Sequence, residues 1–119
     1  MLSKQNRLIK NKDFELVSKK GKSLADPFIV IKWIKNGLPY SRFGIVVSLK
    51  VDKRSPRRNK IKRRLREIIR ANLSKIEKGY DFLIISRVAI KDKNFDKIKS
   101  SFLNLLRKTN LYDNKVDNS

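Results

Sequence analysis

The sequence predicts an α+β fold, a sheet with helices packed on it as an α-β sandwich, and three observations carry that prediction. Phe28–Lys35 and Tyr80–Ser86 are β-branched and aromatic runs too short for independent helices, and both read as strands. Two longer stretches, from Ser55 and from Asn94, repeat apolar residues at helical spacing. Arg42–Lys50 supplies a further extended run between them, so the order is helix, strands, helix, strand, helix. At 119 residues the chain has room for one modest core. No repeat, linker or low-complexity tract divides it. Residues 1–119 therefore read as a single domain, with 1–10 a basic, partly ordered arm and 110–119 a loose tail.

Taken in order, Asn11 is placed to cap a short helix that carries Phe14, Leu16 and Val17 and ends at Gly21. The strand Phe28–Lys35 runs into Asn36-Gly37, a turn signal extended by Leu38-Pro39. Arg42–Lys50 is expected to return as the second arm of an antiparallel pair. Ser55 and Pro56 suit the cap and first position of the next helix. There Ile61, Leu65, Ile68, Ile69 and Leu73 form one buried stripe. At 100° per residue, Asn59, Lys62, Arg63, Arg66 and Arg70 fall on the outward face. Tyr80–Ser86 reads as a buried strand, and a last helix over Asn94–Lys108 buries Phe95, Ile98, Phe102, Leu105 and Leu106. The link through the basic helix is a crossover, right-handed by base rate.

The charge is the strongest functional clue. Net charge is +20, and of the eighteen residues from Lys53 to Arg70 ten are Lys or Arg against one acid, Glu67. Such a fold repels itself, so a polyanionic partner is expected. A membrane surface is a poor candidate: no apolar run approaches the roughly 20 residues of a spanning helix, and neither a signal peptide nor a lipidation motif is present. No membrane partner is expected, and a cytoplasmic location fits a chain without cysteine. The absence of His and Cys also excludes the usual zinc sites and Ser-His or Cys-His nucleophilic systems. Asp92 and Asp96 stand one helical turn apart, which the helix dipole explains without catalysis. No catalytic or metal-ligating residues are expected in this chain.

A solvated helix face usually alternates its charges to gain pairs one turn apart, whereas this one stacks like charges. Nucleic-acid binding is the better reading, with Arg suited to bidentate contact with phosphate. No helix-turn-helix, zinc-finger or zipper pattern is present, and DNA is not expected as a partner. Phe28, Trp33, Tyr40, Phe43, Tyr80 and Phe82 could stack single-stranded bases, although a small sheet needs most of them as core. For Phe14, on a short and weakly hydrophobic helix, both readings stay open.

Four blocks carry a resemblance: DFELVSKKGKS, SRFGIVVSLKV, RRNKIKRRLREIIR and KGYDFLIISR, in that order from Asp13 to Arg87. Together they resemble the protein subunit of bacterial ribonuclease P. The specific element is the helix signature, present as Arg58-Asn59-Lys60 followed by Lys62, Arg63 and Arg64. The resemblance implies the order αβββαβα, a relation to a ribosomal-protein domain (the S5 domain 2-like fold) and a left-handed crossover through the basic helix. It implies a subunit whose partner RNA performs the hydrolysis with Mg²⁺, removing the 5′ leader of precursor tRNA. Carried over by position, Arg57, Arg58, Asn59, Lys60, Lys62, Arg63, Arg66 and Arg70 would contact the catalytic RNA. Phe14, Ser48, Lys50 and Tyr112 would line the leader site.

This chain departs from the family pattern at three places. Lys60 replaces an Arg of the signature and loses its bidentate geometry. Ser18 stands where many members have a second aromatic, thinning the cleft wall. Asp52 replaces a common Gly in a loop that is one residue longer. From composition alone, a ribosomal or other RNA-scaffolding protein without a role in cleavage is the competing expectation.

Overall fold

The computed structural model describes residues 2–112. The elements are α1 (Asn11–Lys20), β1 (Lys22–Ala25), β2 (Ile29–Lys35), β3 (Arg42–Val46), α2 (Ser55–Asn72), β4 (Tyr80–Ser86) and α3 (Phe95–Thr109). This is the αβββαβα order. The four strands form one mixed sheet in the order β1-β2-β4-β3. Pattern alone missed β1, because four residues reading KSLA offer little apolar signal.

The expected β2–β3 antiparallel pair does not form. Strand β4 lies between them, antiparallel to β2 and parallel to β3. A tight type I′ hairpin needs positive φ at both central residues; Gly37 has φ 71°, but Asn36 is not among the positive-φ residues. Instead the connection straddles the start of β4. Asn36 Nδ2 donates to Asp81 Oδ1 and its backbone N–H to the Gly79 carbonyl, while Ser41 Oγ accepts from Tyr80 N. The extended run at Arg42 also stops at Val46 rather than Lys50, and Ser48 to Val51 close a turn.

Two cores follow from the alternation of the strands. Phe43, Ile45, Phe82, Ile84, Ile29 and Ile31 face α2 and α3, and the Phe43 and Phe82 rings stack 5.1 Å apart. On α2 the predicted stripe is buried at Ile61, Leu65, Ile68 and Ile69, and on α3 at Ile98, Phe102, Leu105 and Leu106. The opposite face carries a smaller cluster, Leu8, Val17 and Leu83 under α1. Arg42 ties α1 to the sheet. It donates to both carboxylate oxygens of Asp81 at 2.8 and 2.6 Å and reaches Asp13 at 3.4 Å, and its hydrogen bond to Asp81 raises its pKa.

The helix starts differ from the expected caps. Ser55 is already helical and Arg54 occupies the cap position without a side-chain capping bond; Asn11 likewise is the first residue of α1. Asp52 stabilises the entry to α2, its Oδ1 accepting from Arg54 N and Nε and its Oδ2 from Arg54 Nη2. Those bonds hold the carboxyl down at about 2. Asp92 precedes α3 instead of lying in its first turn, and Asn94 caps that helix by accepting from Lys97 N.

The arm and the start of the tail are both held in place. Leu2, Asn6 and Leu8 are buried, and Arg7 bridges Phe43 so that the arm lies along the outer edge of β3. At the other end, Tyr112 bridges Ile76 and Leu111 accepts from Glu77 N. The rest of the tail expectation, from residue 113 on, lies outside the described residues.

Candidate nucleic-acid interface

The outward face of α2 stands as the helical spacing predicts. Asn59, Lys60, Arg63, Arg66 and Arg70 are exposed and Lys62 is half-buried. Ion pairs and hydrogen bonds then divide the cations. Arg58 donates to the Asp52 and Lys53 carbonyls and to Ser55 Oγ, so it closes the loop before the helix. Arg57 reaches Asp92 at 3.4 Å, Arg64 donates to the Lys93 carbonyl, and Arg70 pairs with Glu67 at 2.7 Å. Lys60, Lys62, Arg63 and Arg66 have no such partner among the described residues. These four are the side chains available to external phosphates without first breaking an internal bond.

Sequence reasoning missed the cations that the fold adds to this helix. A cavity of about 250 Å³ gathers Arg57, Lys60 and Arg64 with Lys91 and Lys93 from the turn before α3, against the two acids Asp52 and Asp92. Nothing local marks Lys91 and Lys93, because only tertiary packing brings them alongside.

A second surface lies on the α1 face of the sheet. Pairing sets Val30 opposite Ile85 and Ile85 beside Val46, and all three are at least partly exposed. Phe14 stands at the wall of this floor, half-buried, its ring against the backbone of Gly44. A Cβ at Gly44 would sit 2.6 Å from Phe14 Cε1, so the glycine lets the ring approach the strand closely. Sequence reasoning also missed Gly44; the signal was its place in the alternation of RFGIV. Ser48 and Lys50 are exposed just past the end of β3, and Ser18 is exposed with its carbonyl accepting from Lys32 Nζ. The helix face and this cleft meet around the edge of β3, where a groove of about 160 Å³ is lined by Arg7, Phe14, Gly44 and Arg66.

Tyr112 does not belong to this surface. It is 8% exposed within the α2–α3 core, its hydroxyl donates to Asn72 Oδ1 at 2.9 Å, and Arg107 stacks on its ring. It lies across the sheet from Phe14. Nor do the carboxylates converge: no group of three potential ligands forms among the described residues. Asp26, Asp52 and Asp81 are engaged by backbone N–H groups, Ser101 and arginines. No helix among the described residues is long and apolar enough to cross a membrane.

Fold and site together define a class: a small α-β sandwich with a cationic helix on one side and an aromatic-walled cleft on the other, the layout of a nucleic-acid-binding protein. Comparison with known proteins narrows that class. The Ribonuclease P family model matches residues 2–110. The ribonuclease P protein component of Alkaliphilus oremlandii is 41% identical over 111 residues, covering 93% of this chain and 96% of that protein. Among solved structures, the Thermotoga maritima RNase P protein is 42% identical with a TM-score of 0.79, over 86% of this chain and 96% of that one. The Staphylococcus aureus RNase P protein is 33% identical with a TM-score of 0.85, over 91% and 98%. The chain belongs to the ribonuclease P protein family. The competing expectation of a ribosomal or scaffolding protein finds no support in these relatives.

Proposed function

We infer that this chain is the protein subunit of ribonuclease P, working in tRNA processing. It binds the catalytic RNA through α2 and the 5′ leader of precursor tRNA in the cleft beside α1. The observation that carries the reading is the row of unpartnered cations Lys60, Lys62, Arg63 and Arg66 on a helix whose other side is locked into the core. A rigid row of this kind offsets repulsion between two large RNAs without being ordered on binding. Phe14, Ser48 and Lys50 add contacts that depend on an unpaired leader, through stacking on an aromatic ring and hydrogen bonding. Tyr112 has no part in them.

Hydrolysis is assigned to the RNA, with Mg²⁺ held there. Asp26, Asp52 and Asp81 are committed to structural bonds, and no three potential metal ligands gather among the described residues. The protein's contribution is binding and alignment, and maturation of bacterial tRNA implies the cytoplasm as its compartment. Reconstitution with the cognate RNA tests this. At low Mg²⁺ the protein should raise affinity and cleavage for precursor tRNA over mature tRNA; equal effects on both, or none, would refute the assignment.

A further inference from the structure

A second aromatic site lies on the sheet face that packs against α3, with lining residues from β2 and β4. Between β2 and the end of α3 a cavity of about 370 Å³ is lined by Trp33 and Tyr80, with Lys20, Lys22 and Lys35 around it and Leu111 behind. Its volume falls in the range of small-ligand sites, roughly 300–1,000 Å³. Strand pairing builds it: Lys22 stands opposite Trp33, and Lys35 opposite Tyr80. Both rings are half-buried, and all three lysines are exposed.

Charge decides what the cavity suits. Among the described residues no acid lines it, and none of the three lysines has an ion pair or side-chain hydrogen bond there. Three like charges around an apolar mouth repel one another, and an anion among them relieves that repulsion. A bare phosphate would leave the two rings unused, whereas an apolar ligand would leave the lysines uncompensated. A nucleotide satisfies both, its base stacking on the rings and its phosphate lying among the ammonium groups. A base inside a duplex has both faces covered by its stacked neighbours, so the base must be an unpaired one outside a helix.

We propose that this cavity binds one unpaired nucleotide of an RNA, base against Trp33 and Tyr80, phosphate among Lys20, Lys22 and Lys35. The choice of RNA as the source of the nucleotide rests on the reading of the chain as a ribonuclease P subunit. The position does not: its two rings lie on the sheet face opposite Phe14, and it shares no lining residue with the groove that holds Arg66.

Trp33 is the single tryptophan of the chain, so its emission reports on this cavity alone. The experiment titrates the full-length protein with a labelled single-stranded RNA hexamer, reading anisotropy for binding anywhere and Trp33 emission for binding here. Saturating hexamer should quench Trp33, while an RNA duplex of equal phosphate count and inorganic phosphate alone should not. In Lys22→Ala/Lys35→Ala the salt dependence of quenching should flatten by about 1.4 in log–log slope, two single-strand phosphate contacts at about 0.7 each.

Hexamer binding by anisotropy with unchanged Trp33 emission overturns the proposal. So does quenching that ignores the lysines. Either result leaves the subunit assignment standing, since that is judged by precursor cleavage in the reconstituted enzyme. Adding catalytic RNA and then precursor tRNA identifies the source: quenching at the first addition assigns the nucleotide to the catalytic RNA, quenching only at the second assigns it to the substrate, and quenching at neither overturns the site.

Discussion

Gly44→Ala should act on the leader cleft by dislodging a ring that the wild-type residue meets only with its backbone. The new Cβ would stand 2.6 Å from Phe14 Cε1 and 2.8 Å from Cζ, against an unstrained carbon separation of about 3.5–4.0 Å. One partner must yield by roughly 1 Å. Strand β3 is held on one side by β4 and on the other by the arm at Arg7, whereas the contacted atoms of Phe14 are the tip of a half-exposed side chain. The ring therefore moves. Because a ring tip yields more cheaply than backbone, the stability loss should sit near the lower end of the about 1–3 kcal/mol typical of overpacking, lowering Tm by about 4 °C.

The effect on the leader should be larger than that loss suggests. A base stacked on an aromatic is worth about 1–3 kcal/mol, so Phe14→Ala should weaken leader-bearing substrate by about 5- to 150-fold. Gly44→Ala should reproduce part of that weakening through displacement alone, at about 5-fold. Combined, the two changes should cost scarcely more than Phe14→Ala, because both act through one ring; the cycle should show a coupling of about 1 kcal/mol. The assay is the affinity of the reconstituted enzyme for precursor relative to mature tRNA, with thermal unfolding measured alongside. Additive losses would show that Gly44 and Phe14 act separately, and unchanged leader affinity in both single variants would return Phe14 to a packing role.

Three further outcomes follow from the same structure. Arg63→Ala or Arg66→Ala should weaken catalytic-RNA binding and flatten its salt dependence by up to about 0.7–0.9 in log–log slope for each phosphate no longer neutralised; an unchanged slope would place those residues on an idle face. Tyr112→Phe leaves Asn72 Oδ1 without its buried partner, and urea unfolding should show a loss of about 1–3 kcal/mol while leader affinity stays at the wild-type value. Asp52 titrates at about 2 when folded, below its ordinary value of 3.8, so its contribution is complete above that ordinary value and is lost as pH falls through the folded one. The stability gap between wild type and Asp52→Asn should therefore be widest near neutrality and close between about pH 4 and pH 2.

What could be read from the sequence was whatever repeats locally. The stripe Ile61–Leu65–Ile68–Ile69 fixed which way α2 faces, and with it the exposure of Arg63 and Arg66. Pairing of strands is different in kind. Nothing in FIVIKWIK or RFGIVVSLK announces that Tyr80–Ser86 will lie between them, and the Asn36-Gly37 signal pointed to a hairpin that the chain does not make. Side chains that do two jobs were also hidden. Arg58 belongs to the helix signature yet spends its donors on the Asp52 and Lys53 carbonyls, and Tyr112 looks like a tail aromatic until Asn72 is seen to receive its hydroxyl. Phe14 stood out on its short helix, whereas the alternation of RFGIV gives Gly44 its face but not the ring that comes to lie against it, which only tertiary packing supplies.

The sheet order sets a timetable for synthesis. Strand β4 is the last strand to be made and lies beside both β2 and β3. As the chain leaves the ribosome, only β1 and β2 can pair. The edge strand β3 then waits through all of α2, and the arm at Arg7 has nothing fixed to lie along. For that interval the ten cations between Lys53 and Arg70 emerge as an unfolded polycation in a compartment full of RNA. Contacts that span so much sequence are slow to close, and a loose basic segment binds any phosphate chain. The same cations that the folded protein holds in a fixed row make the nascent one indiscriminate until Ser86 is free.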